Sequence, residues 1–387
     1  MVSLKEKVRK MVRNFNHQKT IGIVGATSDS QAFILKANKL GFTTYLLCQT
    51  ETEANEFTSA DQTFIGALSD EVIHEEFLMH SDLLVYFDYG ISSKEIEEAK
   101  KSVVVPQDEE LLSIARDRVL QKAFKESLSV NIAPYATVVK EEDITEGIRS
   151  IGYPAVLRTN FVNPDREKQS YFIYEESDIE EAADLLKYGT CVLESWIVAE
   201  HELSISVAKT SSGRIELFPI VRKEYRKDRL ENVRAPFTVE AEIEEEIERV
   251  AILLADNISF RGVITIDFLV SPAEALYVGS IYPYPNVLSR YSEALPDFSA
   301  SEIHLRAIAS LPVPKRDTIE KEFVYVPIYW EHKEAVDELL TIYPHWDFTF
   351  YPLVKGEIEN TKRALGHILI ETENVEKTLD MLRDYGF

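Results

Sequence analysis

Residues 262–282, GVITIDFLVSPAEALYVGSIY, decide how the middle of the chain is interpreted. Apolar and polar residues alternate along Val263–Val270, and a second run, Leu276–Tyr282, follows the turn-forming segment Pro272-Ala273-Glu274. This arrangement predicts an antiparallel hairpin. The alternation places Ile264 and its apolar neighbours on one face and Asp267 on the other.

Asp267 is a candidate metal ligand on the polar face of that hairpin. A single carboxylate there could hold Mg²⁺ between nucleotide phosphates, or it could be a solvated or hydrogen-bonded surface residue. The facing strand has Gly279 and Ser280 where a second oxygen ligand is expected. The residues alone leave both interpretations open.

The segment before residue 106 has a different pattern, in which short apolar strands alternate with helices. That alternation predicts a parallel, Rossmann-like α/β sheet over 20–106, which ends near Pro106. Its first strand-to-helix turn, residues 25–31, is GATSDSQ and lacks two of the three glycines of a dinucleotide fingerprint. We therefore expect an ordinary helix there, capped by Ser28 or Asp29, rather than a phosphate site.

The rest of the chain divides into three further parts. Hairpins mixed with helices predict an α+β domain over 107–314, and strands with two helices predict a small α/β domain over 315–387. Residues 1–19 form a basic amphipathic pattern. We expect this helix to pack on the acidic body, with membrane-surface binding or organelle targeting as the alternative.

Composition limits the classes of partner. The 387 residues contain 42 Lys and Arg and 66 Asp and Glu, a net charge of −24, which argues against bulk nucleic-acid binding. No apolar run is long enough to span a membrane. The two cysteines, Cys48 and Cys191, lie in separate apolar runs, which suits a reducing compartment. We therefore expect a cytoplasmic protein.

A locally basic stretch from 209 to 236 stands out in this acidic chain. Its arginines, from Arg222 to Arg234, suit a small anionic ligand, because guanidinium groups pair well with phosphate and carboxylate. A solvated loop that offsets the acidic helix after it is an equally good interpretation.

The order of these elements and seven short motifs resemble the ATP-grasp enzymes. The resemblance is closest to the carboxyaminoimidazole ribonucleotide synthetases of purine biosynthesis, and it extends from about residue 20 to the end. The motifs are Arg116-Asp-Arg118 with Gln121-Lys122, 151–159 (IGYPAVLRT), Val192-Leu-Glu194-Ser-Trp-Ile with Glu202-Leu-Ser204, 262–268 (GVITIDF), 301–307 (SEIHLRA), Leu311-Pro and Gly366-His367-Ile.

The resemblance implies an ATP-grasp fold, ATP and Mg²⁺ as cofactors, a nucleotide substrate and a homodimer. Arg158 would act in catalysis and, with Arg118, would contact phosphates. Glu202 would hold the ribose, and Asp267 would hold the metal with Ser280 at the second ligand position. The adenine would lie against a hinge strand formed by Glu194, Ser195, Trp196 and Ile197.

Several positions depart from the family pattern. The loop 160–169, NFVNPDREKQ, contains no glycine where the family has a glycine-rich phosphate loop. Glycine accounts for 14 of the 387 residues, which is about half of its usual share of roughly 7%. We therefore expect a synthetase homologue that is impaired in the ATP- and bicarbonate-dependent carboxylation of aminoimidazole ribonucleotide. The alternatives are a non-catalytic nucleotide-binding or scaffold protein and an ATP-grasp ligase with another substrate.

Overall fold

The computed structural model describes residues 19–56, 59–162, 169–226, 229–295, 299–315, 321–351 and 364–387. The predicted basic helix over 1–19 lies almost wholly outside these residues, as does most of the glycine-free loop 160–169. Among the described helices, none is long and apolar enough to cross a membrane.

A parallel sheet forms the N-terminal part of the chain, as predicted. Its strands have the order β3-β2-β1-β4. They are β1 (Thr20–Val24), β2 (Thr43–Cys48), β3 (Gln62–Ile65) and β4 (Leu83–Tyr86). The helices are α1 (Ser28–Lys39), α2 (Glu51–Glu56), α3 (Glu71–Ile73, continued by a π turn at His74–Leu78) and α4 (Ser93–Ala99). Near the predicted end of this unit, Val104 forms one isolated parallel bridge to Leu83.

The turn before α1 is a helix cap, although the capping residue is not one of the two predicted. Thr27 accepts a hydrogen bond from the Ser30 backbone N–H at 3.1 Å, and the Ser30 hydroxyl accepts one from the Thr27 N–H at 2.9 Å. This reciprocal pair satisfies backbone donors that would otherwise lack partners at the helix start.

The segment from residue 108 to 127 forms two helices rather than one. They are α5 (Asp108–Arg116) and α6 (Arg118–Ser127). Asp117 between them has an extended backbone (φ −103°, ψ 110°), and its carboxylate accepts from the Leu120 N–H at 2.9 Å. The helix breaks here because Asp117 is the N-cap of α6.

A small antiparallel sheet follows, with the strand order β5-β8-β6-β7. Its strands are β5 (Tyr135–Val138), β6 (Ala155–Thr159), β7 (Ser170–Ile173) and β8 (Cys191–Ser195). Helices α7 (Glu141–Ile151) and α8 (Ile179–Ala183) cover it, the latter between 3₁₀ turns at Glu176–Asp178 and Asp184–Tyr188.

A larger sheet contains the described strands of the remaining chain, in the order β14-β13-β9-β11-β12-β15-β17-β16, with β10 on β9. They are β9 (His201–Lys209), β10 (Ile215–Leu217), β11 (Val221–Arg226), β12 (Arg229–Ala235), β13 (Gly262–Val270), β14 (Leu276–Tyr282), β15 (Glu322–Ile328), β16 (Asp347–Phe350) and β17 (Gly366–Thr372). Its helices are α9 (Ala241–Asp256), α10 (Ala300–Ile308), α11 (Lys333–Ile342) and α12 (Val375–Asp384), and 3₁₀ turns lie at Val287–Ala294 and Trp330–His332.

The predicted hairpin β13–β14 is present, and β9–β10 forms another. The basic stretch is not a loop, because most of it forms a third hairpin, β11–β12. The strands of the C-terminal segment continue the same sheet, since β15 pairs with β12. The small sheet and the large sheet each present their own set of polar side chains. Helix α6 connects these two sets.

Candidate nucleotide cleft

Helix α6 buries its polar face. Arg118, Gln121, Lys122 and Lys125 recur at the spacing of one helical face, and the last three are 7%, 6% and 3% exposed. Leu120, in contrast, is 43% exposed. Buried lysines without a nearby anion are costly, so a buried cationic face indicates a site for negative charge.

Glu194 on β8 is the protein anion that faces these cations. Its carboxylate lies 3.4 Å from the Lys122 Nζ, which also sits 4.9 Å from the centre of the Tyr135 ring. Burial alone would raise the pKa of Glu194, but the charges of Lys122, Arg158 and Lys125 outweigh it and lower that pKa. Burial lowers the pKa of Lys122, while Glu194 opposes the change. Glu194 therefore stays ionised in a site that is otherwise positively charged.

Arg118 and Arg158 bring two further cations to the same place. Arg118 begins α6, and its backbone N–H donates to the Asn160 carbonyl at 3.0 Å. Arg158 lies on β6 between Ser170 and Val192. In both arginines the Nε is buried and has no hydrogen-bond partner among the described residues. Burial and then the neighbouring Arg158 lower the pKa of Arg118.

The segment predicted to hold adenine leaves β8 at the edge of this cluster. Ser195 donates its backbone N–H to the Pro134 carbonyl at 2.8 Å. Trp196 is 37% exposed, and its ring centre lies 4.8 Å from that of Phe172 in an edge-to-face arrangement. Ile197 is half-buried. The segment thus offers an accessible aromatic ring beside half-buried backbone, which suits a planar ligand.

Asp267 is buried, and both of its carboxylate oxygens already accept hydrogen bonds from the protein. One carboxylate oxygen accepts from the Ser204 hydroxyl at 2.5 Å. The other accepts from the Lys223 Nζ at 2.5 Å and the Tyr282 hydroxyl at 3.0 Å. The Asp267 carboxylate raises the pKa of Lys223, although burial opposes the change, so Lys223 is held in its charged form. Glu202 lies nearby on β9, and its pKa is raised, chiefly by burial.

These donors and acceptors fit a polyanion and do not fit a magnesium ion. Mg²⁺ requires about six oxygen ligands in an octahedron, with free lone pairs on at least one or two carboxylates. Asp267 accepts three hydrogen bonds, one of them from an ammonium group. No set of three His, Cys, Asp or Glu residues in the described part of the chain is placed to hold a metal. The orphaned guanidinium nitrogens of Arg118 and Arg158, in contrast, need an acceptor.

The arginine-rich hairpin β11–β12 does not gather its cations into a second anion site. Its charges face carboxylates of the protein, and Arg234 is 7% exposed. The ion pairs are Arg222–Glu224, Arg234–Glu224, Arg234–Glu376, Arg226–Glu231 and Arg229–Glu331.

Comparisons with known proteins agree with this geometry. Residues 123–286 match the ATP-grasp domain, so this part of the chain is an ATP-grasp domain. The chain is similar to the N5-carboxyaminoimidazole ribonucleotide synthases over nearly its whole length. The synthase of Staphylococcus haemolyticus is 28% identical over 370 residues, 94% of this chain and 96% of that protein.

Two further comparisons support the same conclusion. The synthase of Staphylococcus saprophyticus is 24% identical over 365 residues, covering 93% of this chain and 94% of that protein. The crystal structure of an ADP complex of purK, N5-carboxyaminoimidazole ribonucleotide synthetase, superposes with a TM-score of 0.87 at 25% identity. That match covers 95% of this chain and 96% of the solved chain. The ATP-grasp fold predicted from the motifs is confirmed.

The structure brings most of the predicted site residues to one cleft. Arg118, Arg158 and Glu194 influence one another electrostatically, and Glu202 responds to the charges of Arg158 and Asp267. Ser280 is exposed on β14, and the roles given to all these residues stay predictions.

Sequence reasoning missed three cations of this cleft. Among them, Lys125 belongs to none of the seven motifs, Lys122 is only part of one, and Lys223 lies within the locally basic stretch. The spacing of 118, 121, 122 and 125 was the signal that could have found the first two, since it marks one face of a helix.

Proposed function

We propose that this chain binds an adenine nucleotide in the cleft between its two antiparallel sheets and is impaired in the carboxylation reaction of its synthase homologues. The observation that carries the proposal is the Asp267 carboxylate, whose oxygens are already bonded by Lys223, Tyr282 and Ser204. The cleft retains groups that attract phosphate, but its candidate metal ligand is engaged by the protein itself.

Nucleotide binding is supported by the unsatisfied cations. The buried Nε atoms of Arg118 and Arg158 lack partners among the described residues, and Lys122 has one carboxylate neighbour at 3.4 Å. A nucleotide phosphate would supply acceptors to these groups, and charged hydrogen bonds contribute about 1.5–3 kcal/mol each. The homologous purK structure was solved as an ADP complex, which supports the same ligand class here.

Impairment is supported by the balance of charge at the phosphoryl-transfer position. Catalysis of this transfer depends mostly on positioning and on electrostatic stabilisation of the moving phosphoryl group by metal ions. Here Asp267 is paired with Lys223, and β14 presents Gly279 and Ser280 rather than a second carboxylate. Loss of one such stabilising contact commonly lowers the rate by a factor of about 10² or more.

The proposal is tested with the full chain, Mg-ATP and bicarbonate. Titration calorimetry with ATP should give saturable binding, and phosphate release should not be stimulated by aminoimidazole ribonucleotide. Substrate-stimulated phosphate release at the rate of an intact synthase would overturn the impairment. Absence of ATP and ADP binding would overturn the nucleotide site and leave the scaffold alternative.

A pair of arginine variants locates the binding site. Arg158→Met should weaken ADP binding by about 10- to 100-fold, because it removes charged hydrogen bonds to phosphate. Arg149→Met is the matched control, since Arg149 is exposed on α7 of the same small sheet unit. Equal affinities of the two variants would place the nucleotide elsewhere.

The ion pairs of the β11–β12 hairpin weaken the alternative of a different ligase substrate held by Arg222 to Arg234, because each of these arginines already faces a carboxylate. The homodimer expected from the resemblance is a separate proposal. Sedimentation equilibrium of the full chain tests it directly.

A further inference from the structure

The Asp267 carboxylate is the place where a divalent cation would have to bind, and Lys223 already neutralises it. The side chains of Lys223 and Asp267 are 5% and 9% exposed. The two residues come from strands on opposite sides of β9, and Ser204 of β9 donates to the same carboxylate. The ammonium group is therefore fixed inside the sheet face that looks into the cleft, rather than free to move away.

The strand opposite offers no second carboxylate, because the expected ligand position is Ser280 and its neighbour is Gly279. A Cβ atom at Gly279 would lie 2.9 Å from the Asp267 Cβ, so a larger residue there would force one strand to shift. The Gly279 carbonyl oxygen, another possible metal ligand, already accepts from the Lys125 Nζ at 2.8 Å. Two ammonium groups thus occupy oxygens that a magnesium ion would need.

The cleft has more positive than negative side chains without any metal. Its cations are Arg118, Lys122, Arg158 and Lys223, joined by Lys125 when that lysine is protonated, and its carboxylates are Glu194, Glu202 and Asp267. This positive excess is confined to the cleft, because the whole chain has a net charge of −24. Such a cluster balances a nucleotide polyphosphate by itself, and a dication would be repelled by the neighbouring ammonium groups.

We propose that Lys223 takes the place of the divalent cation, so that the cleft binds its adenine nucleotide without magnesium. The inference rests on the nucleotide site proposed above. It adds that the favoured ligand is the metal-free nucleotide, and that Lys223 is the residue that determines this preference.

The test is calorimetric titration of the full chain with ADP, once in excess MgCl₂ and once in EDTA. We expect ADP to bind in EDTA at least as tightly as in magnesium. Binding that is tenfold or more tighter in magnesium would overturn this inference and leave the nucleotide site intact. Absence of ADP binding in both buffers would overturn the nucleotide site as well.

Variants of Lys223 separate its charge from its structural role. Lys223→Met should weaken ADP binding in EDTA by tenfold or more, and magnesium should restore part of the loss because Asp267 is then free to hold a cation. Lys209→Met is the matched control, since Lys209 is a lysine of the same sheet whose Nζ donates to the carbonyls of Ala255 and Ile258. An unchanged ratio of affinities in the two buffers for Lys223→Met would contradict the proposal.

A second variant protects the test against misfolding, because Lys223→Met leaves a buried carboxylate unpaired. The double variant Lys223→Met/Asp267→Asn contains no unpaired charge there. We expect it to fold, to bind ADP, and to gain nothing from magnesium, since neither the ammonium nor the carboxylate is present. Tenfold tighter binding of ADP by this variant in magnesium would show that the metal binds elsewhere, which overturns the role of Lys223.

Discussion

Lys125 shows at the residue scale how burial and charge combine in the cleft. Its side chain is buried, and its Nζ donates to the Gly279 carbonyl at 2.8 Å and the Gln121 amide oxygen at 3.4 Å. Burial and then the charge of Lys122 lower its pKa to about 7. Since an unfolded lysine titrates near 10.4, the unfolded chain binds more protons than the folded chain between pH 7 and that value. This difference makes the fold more stable as the pH rises through that window.

The first prediction concerns the stability of Lys125→Met. At pH 7 the variant should have a free energy of unfolding about 1–3 kcal/mol higher than the wild type, because it avoids burying a charge. The difference should shrink as the pH approaches 10, where the lysine is neutral in both states. Urea unfolding at pH 7 and pH 9.5 measures this, with Lys39→Met on exposed α1 surface as the control. A constant difference at both pH values would contradict the assigned cause.

The second prediction concerns protons taken up with the nucleotide. At pH 8 Lys125 is largely neutral, and a bound phosphate would favour its charged form. ADP binding should therefore take up protons at pH 8, which calorimetry detects as a heat that differs between HEPES and Tris buffers. Lys125→Met should reduce this uptake. Identical uptake in the variant would assign the protons to another group.

At the element scale, sequence periodicity predicted side-chain faces well and long-range contacts poorly. The alternation along β13 correctly put Ile264 and Phe268 in the core and Asp267 on the polar face. It could not predict the Asp267–Lys223 contact, because that depends on the strand order β13-β9-β11 across 44 residues of sequence. The apolar pattern alone does not reveal the helix break at Asp117, because that pattern continues through it. An Asp at the start of a helix, where backbone N–H donors lack partners, is nevertheless a local capping signal.

Helix α10 carries the third prediction. The Nδ1 of His304 accepts from the Val263 backbone N–H at 2.9 Å, which joins α10 to β13, and burial lowers its pKa to about 3. The unfolded histidine titrates near 6.5, so the unfolded chain binds more protons from pH 6.5 down to 3 and the fold loses stability over that window.

His304→Asn retains an acceptor and removes the titration. At pH 7.5 the variant should be about 1–2 kcal/mol less stable than the wild type, because it loses ring packing against Phe33 and Phe87. At pH 5 the wild type should lose about 2 kcal/mol because its buried histidine stays neutral, so the gap should close or reverse in sign. Urea unfolding at both pH values is the measurement, and His80→Asn on the exposed surface is the control. A gap of the same size at pH 5 would exclude His304 as the titrating group.

At the scale of the whole molecule, the parallel sheet and the ATP-grasp part share buried contacts. One hydrophobic cluster contains Ile23 and Phe33 from the first part and Tyr284 and Leu305 from the second. Gln107 joins the same two parts, since its buried amide donates to the carbonyls of Tyr86 and Pro283. These contacts predict that the two parts unfold together rather than in separate steps.

Arg290 provides the sharpest test of that coupling. Its guanidinium donates to the Ser28 carbonyl at 2.6 Å and to the Asp29 carboxylate at 2.7 Å, at the start of α1. The helix start that would hold a phosphate in a dinucleotide-binding protein is thus occupied by the protein's own ion pair, in agreement with the predicted capped helix. Arg290 is 7% exposed, so the pair is largely withdrawn from water.

Arg290→Met should lower the free energy of unfolding by about 2–4 kcal/mol, because it leaves Asp29 buried without its partner. Arg290→Met/Asp29→Asn should recover at least half of that loss, since no unpaired charge then remains. Urea unfolding followed by fluorescence and by circular dichroism should give coincident transitions for the wild type, because the Arg290 contacts and the shared core bind the two parts into one unit. Separate transitions in the wild type would mean that the parallel sheet folds independently. A loss below about 1 kcal/mol in the single variant would mean that the ion pair serves only to cap α1.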